Sequence, residues 1–295
     1  MSAATAPAVG TRSGGTAVNL VRSEYRKIRT TNTWWLFGLF TLILLAITLL
    51  FNMLQAHFYL TSPPPGADDP TQAAQFGLQS QAATQAANIF TSGQFFGGLF
   101  VMLLAILMIT NEYYHQTATT TYLITPRRTA VIGAKFVMAI VAAAFFWLVI
   151  TAIDLTAGAI YLHTEHVSAH LGDWVVQRAI LVNLMVFALW GVFGVGLGVL
   201  IRSQIGATIT AALLYVIGTQ LAQLVFFLIR QFLIKKDGVL TAMVIVPATA
   251  AQIAVSAVQA FPQAPPWWVG ALVLLGYGVV TGLIGIAIMR RRDIS

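Results

Sequence analysis

Six stretches of this sequence are long enough, and nearly free enough of charge, to cross a lipid bilayer. They are residues 34–54, 93–110, 129–162, 175–201, 207–229 and 267–289. About 20 apolar residues rising 1.5 Å each match a hydrocarbon core roughly 30 Å thick. Inside that core no water can satisfy a backbone N–H or C=O, so each stretch is expected to close its own hydrogen bonds as a helix. The fold class is therefore read as all-α, with six transmembrane helices in a membrane domain over residues 34–295. Charged residues are 8% of the chain and hydrophobic residues 58%. A soluble domain carries about 25% charged residues, so this chain has too little polar surface to stay dissolved. Trp34 and Trp35 open the first stretch and Trp267 and Trp268 the last, at the depth where aromatic rings meet headgroups.

Lysine and arginine orient the helices, because they gather in cytoplasmic loops. Most of the 16 basic residues fall inside if four segments are cytoplasmic. These are the segment before Trp34, the connection 111–128 with Lys135, the turn at Arg202 and the terminal Arg290, Arg291 and Arg292. Both termini are then cytoplasmic. Residues 55–92 hold Asp68 and Asp69 and no Lys or Arg, which places them outside. The Gln/Ala run after Pro70 is expected to form a surface helix there. The net charge of +7 sits at helix ends, where it meets anionic lipid, and does not imply nucleic acid.

Residues 1–19 are small and polar and are expected to be a disordered cytoplasmic tail. They lack the apolar core of a signal peptide, so the first span is expected to serve as its own insertion signal. Residues 20–33 read as an interfacial helix capped by Asn19. Val21, Tyr25 and Ile28 share one face, and Arg22, Arg26 and Arg29 form a basic stripe beside it. Near the other end, Pro247, Gln252 and Gln259 interrupt an apolar run. Residues 239–261 are therefore expected to be an extracellular re-entrant segment before the last helix. That choice leaves Arg230, Lys235 and Lys236 on the side the charge rule disfavours.

No motif for chemistry is present. The sequence lacks a phosphate-binding P-loop, an H-E-x-x-H zinc motif and a G-x-S-x-G nucleophile turn, so no catalytic residue, metal ligand or cofactor is assigned to this chain. His163, His166 and His170 have a spacing that one helical face would turn toward a metal, but a solvated loop is the favoured reading. Asp154 lies within the third stretch. A carboxylate at that depth is costly, so it is either functional or reaching for headgroups. Phe95, Phe96, Tyr215 and Phe226 are candidates to line an apolar pathway, or else packing residues. Gly93/Gly97, Gly194/Gly198 and Gly278/Gly282 repeat at four-residue spacing, which lets helices approach closely.

The connection after the second stretch reads N-E-Y-Y-H-Q-T-A-T-T-T-Y-L-I-T-P-R-R-T-A-V-I-G-A-K. It resembles the cytoplasmic loop of ABC-2 type transporter permeases, usually E-Y-R-H-G-T, a short run, and a T/S-P-R-R-like end. Tyr114 stands where the family commonly has a basic residue and Gln116 where it has glycine. The opening R-S-E-Y-R-K-I-R-T-T-N-T-W-W is similar to that family's start. The resemblance implies a permease that pairs with a second copy, or with a different permease, and with a separate ATPase subunit in a bacterial plasma membrane. ATP and magnesium would sit on that partner. The loop 111–128 would dock on it, with Glu112 at the entrance and Thr117, Thr119, Thr120, Thr121, Tyr122 and Leu123 in the coupling helix. The competing reading is a self-contained secondary transporter or channel, which expects several charged groups within the membrane. An intramembrane enzyme expects two catalytic groups at one depth, and none is found.

Overall fold

The computed structural model describes residues 16–63, 70–116, 128–201, 203–234, 238–261 and 263–291. The chain is 87% helical and contains no strand among those residues. The helices are α1 Thr16–Thr30, α2 Thr33–Thr61, α3 Pro70–Gln79, α4 Ala82–Phe90, α5 Gln94–Tyr114 and α6 Arg128–Thr164. After them come α7 Trp174–Leu200, α8 Gln204–Ile234, α9 Gly238–Ile245, α10 Pro247–Val255 and α11 Trp267–Arg291. Six segments are long and apolar enough to cross a membrane: α2, α4 with α5, α6, α7, α8 and α11. The pair α9 and α10 would add a seventh if its two limbs were one span.

Several boundaries differ from those read in the sequence. The first span runs past Leu54 to Thr61, because nothing breaks the helix until Pro63 forces the preceding residue out of helical geometry. Ser62 is extended, with φ −77° and ψ 143°. The second span begins at Ala82 rather than Gly93 and turns at Thr91–Gly93 before α5 resumes. The fifth reaches Ile234, with two π-helical stretches at Leu214–Gly218 and Ile229–Ile234.

The middle of the bundle is the second span. In its most apolar window 83% of residues are buried, against 11% for α8 and 17% for α2. Such a helix cannot be amphipathic, because every face meets protein. Glycine decides how closely its neighbours come. At Gly194 of α7 an added Cβ would overlap the carbonyl oxygen of Met102 on α5, and at Gly198 it would lie 2.9 Å from the Ile109 Cβ. At Gly97 it would lie 2.5 Å from the Phe187 ring. In the third pair Gly282 differs: its nearest atom is 3.8 Å away, an ordinary contact, while a Cβ at Gly278 would lie 3.1 Å from the Leu189 side chain.

Between α9 and α10 the chain bends by 104°. Val246 is extended, with φ −73° and ψ 121°, and Pro247 opens α10. Proline has no N–H to continue a helix and clashes with a helical residue before it. The 9 residues of α10 reach about 14 Å, roughly half of a bilayer core. Gly270 of α11 faces the Ala250 carbonyl of α10, where a Cβ would have no room.

Candidate functional site

Where α5 ends and α6 begins, four charged side chains close into one network with α1. Helix α1 lays Leu20, Val21 and Ile28 on a core formed by Met108, Ile109, Val131 and Ile132. Glu24 shares that face and is 4% exposed. At 100° per residue Leu20, Glu24 and Ile28 fall on one arc, and Tyr25 falls beyond its edge. Tyr25 is 50% exposed, so it does not join the buried face that the sequence suggested. Arg22, Arg26 and Arg29 are exposed, as the basic stripe requires.

Glu24 and Glu112 are each bridged by two lysines. Lys135, with no exposed side-chain surface, donates to Glu24 Oε2 at 2.9 Å and to the Met108 carbonyl at 3.1 Å. Its Nζ also lies 2.9 Å from Glu112 Oε1. Lys27 Nζ lies 2.8 Å from Glu24 Oε1 and 2.5 Å from Glu112 Oε1. Two negative and two positive charges therefore cancel within the cluster. Burial by itself lowers the Lys27 pKa, but the hydrogen bonds and charges of Glu112 and Glu24 outweigh it and hold the ammonium above its usual range. A cavity of about 310 Å³ opens beside the network, with Glu24, Lys27, Glu112 and His115 at its polar end and Leu104, Leu107 and Met108 along its apolar wall.

Of the residues assigned to coupling, only Glu112 belongs to this network. Thr117, Thr119, Thr120, Thr121, Tyr122 and Leu123 lie outside the described residues. Glu24 and Lys27 were missed as partners of Glu112. The signal was there: Glu24 is the one acid in a basic helix, and its spacing puts it on the apolar face.

The aromatic candidates divide. Phe95 and Phe96 meet edge to face at 5.2 Å, and Tyr215 packs on Phe95 at 4.9 Å and on Trp190 at 4.6 Å. The Tyr215 hydroxyl donates to the Phe95 carbonyl at 2.8 Å. Tyr215 is 4% exposed and sits in the first π-helical stretch. Within one chain these rings form a packed joint between α5, α7 and α8. Phe226 lies eleven residues along α8, about 16 Å away at helical rise, and takes no part in that joint.

At the opposite end, α6 stops at Thr164, and His166 and His170 have φ of 57° and 49°. The three histidines therefore do not share a helical face. His170 instead pairs with Asp173 at 2.9 Å, and His57 of α2 pairs with Glu165 at 3.0 Å. Arg178 of α7 is 8% exposed; it donates to the Ser256 and Ala257 carbonyls and stacks over Trp267 at 5.0 Å. Asp154 does not reach toward headgroups. Its side chain is fully buried and accepts one hydrogen bond, from the Gly93 N–H at 3.2 Å.

No family model matches this sequence, and no curated protein matches it either.

Proposed function

We propose that this chain is the membrane subunit of an ABC-2 type exporter, anchored in a bacterial plasma membrane. It forms the pathway and leaves ATP hydrolysis to a separate subunit that binds ATP and magnesium. The observation that carries this reading is the Glu24–Lys27–Glu112–Lys135 network. It ties α1 to the two helices that flank residues 117–127, the stretch that resembles the family's docking loop. Each lysine bridges both carboxylates, so a push on the loop moves the end of α5, the start of α6 and α1 together. Removing one partner would strand a buried charge, which keeps the joint closed while it moves.

In this reading α1 lies in the cytoplasmic interface, with its exposed arginines toward anionic headgroups. The bent pair α9 and α10 dips into the bilayer from outside, and two copies pair to form the pathway. The test is reconstitution with a separate ATPase subunit, sought first in the neighbouring reading frames. Charge reversal Glu112→Lys, or Thr120→Pro in the loop, is expected to abolish transport and leave the ATPase able to hydrolyse ATP. Full transport in both variants would overturn the coupling role. Asp154, buried without a cation partner among the described residues, is the observation that favours a secondary transporter. Gradient-driven transport by the chain without any ATPase would establish that alternative.

A further inference from the structure

We propose that the break between α4 and α5 is a binding site for one small cation, a sodium ion or a proton, held against the carboxyl group of Asp154. The inference goes beyond the exporter reading and does not depend on it.

Helix α6 straddles the break with three residues one turn apart. Ile150 and Gly158 pack on either side of it: a Cβ at Gly93 would overlap Ile150, and one at Gly158 would meet Ile89 at 2.5 Å and Phe90 at 2.9 Å. Asp154 lies between them and faces the turn. The turn frees the Gly93 N–H from the helical ladder, and that N–H is the one hydrogen bond Asp154 accepts; its Oδ1 has no partner. The N-terminus of α5 offers about half a unit of positive charge at the break and the C-terminus of α4 about half a unit of negative charge, so the two helix ends together leave the carboxylate uncompensated.

Among the described residues no cation answers it. Helix α4 carries no titratable residue. On α5 the one acid is Glu112, at the far end, and on α6 Lys135 is 19 residues away, about 28 Å, and engaged there. On α2 the titratable residues are His57 and Tyr59 near its C-terminus, and His57 pairs with Glu165. Tyr161 donates to the Met53 carbonyl. Arg178, the one charge on α7, is taken by the Ser256 and Ala257 carbonyls.

Other oxygens at the same level are also unpartnered. Thr151 Oγ1 is buried without a hydrogen bond, one turn from Asp154 on the same face of α6. Asn183 Oδ1 is buried without one too. Its helix face is fixed by Phe187, one turn on, whose ring meets Gly97 of α5. That register turns Asn183 toward the start of α5. A carboxylate, an amide oxygen and a hydroxyl are hard donors of the kind that hold a hard cation. Leaving such oxygens buried and unmet is costly, and a cation at Asp154 would relieve the carboxylate first; the buried Gln94 Nε2 beside Gly93 also lacks a partner.

The experiment uses the full chain in lipid nanodiscs and follows radioactive sodium binding and thermal unfolding. Both are measured in sodium chloride and in choline chloride, at an acidic and an alkaline pH. For a sodium site, one ion binds per chain and raises the unfolding temperature. Asp154→Asn abolishes both effects, and Asn183→Leu, which keeps the carboxylate, weakens binding by about tenfold or more, as loss of a supporting group does at metal sites. For a proton site, sodium has no effect, and the shift in unfolding temperature between the two pH values in choline is smaller in Asp154→Asn than in the native chain. Circular dichroism and gel filtration establish that each variant is folded. The proposal is overturned if neither sodium nor pH distinguishes the native chain from Asp154→Asn, or if the effects survive that substitution unchanged.

Discussion

At the scale of single residues, the charged network is a closed circuit whose members cannot be removed one at a time. Lys135 is fully buried between two carboxylates and a carbonyl. Lys135→Met leaves two carboxylates facing one lysine and is expected to cost about 3–5 kcal/mol, the usual penalty for stranding a buried charge. The paired substitution Glu24→Gln with Lys135→Met leaves Lys27 and Glu112 matched, and is expected to recover part of that loss in the same denaturation experiment. Lys27 titrates in a direction that fixes its pH dependence. Its pKa is raised in the folded protein, so its contribution is complete below the unfolded lysine pKa and lost as pH rises through the higher folded value. Stability followed from neutral to strongly alkaline pH is expected to fall in that window, and less so in Lys27→Gln. Glu112 was singled out in the sequence because it opens the loop that resembles the permease family's, and the structure places it in the network. Its partners were not, because they sit on other helices, and sequence spacing says nothing about what two helices bring together.

Among the elements, the distance between α5 and α7 is set by backbone, not by flexible side chains. Gly194→Ala places a methyl on the Met102 carbonyl, and neither helix can yield without moving as a whole. Gly282→Ala meets nothing closer than 3.8 Å. The first is expected to destabilise by about 1–3 kcal/mol, as overpacking does, and the second to be nearly neutral. Thermal melts of the two variants side by side check this. All three glycine pairs share one spacing in the sequence, so spacing alone could not rank them. The bend between α9 and α10 was legible because Pro247 breaks a helix wherever it falls. The continuation of α2 to Thr61 was missed because Gln55 and His57 look like a loop when hydropathy is the only guide.

For the whole molecule, topology and pairing are open to direct tests. The chain has no cysteine, so an introduced one reports alone. If both termini are cytoplasmic, as the proposed topology has them, Asp69→Cys is expected to react with an impermeant thiol reagent in intact cells, and Ser13→Cys and Ser295→Cys only after lysis. Reaction of either terminal cysteine before lysis would invert the topology. Helix α8 leaves most of its length uncovered, and Leu214 is 67% exposed. In a paired permease Leu214→Cys is expected to crosslink two copies, and Leu44→Cys on α2 is not. Efficient crosslinking at Leu44 alone would move the seam to α2. Composition and hydropathy by themselves determined that this is a helical chain with six segments long and apolar enough to cross a membrane, because bilayer thickness and the cost of an unbonded backbone favour helices of that length and composition. Only the tertiary structure decided which charges meet, which glycines touch, and that Asp154 is sealed in the bundle instead of reaching water. Those outcomes depend on the rotation and height of each helix against its neighbours, and side chains far apart in the chain fix them jointly.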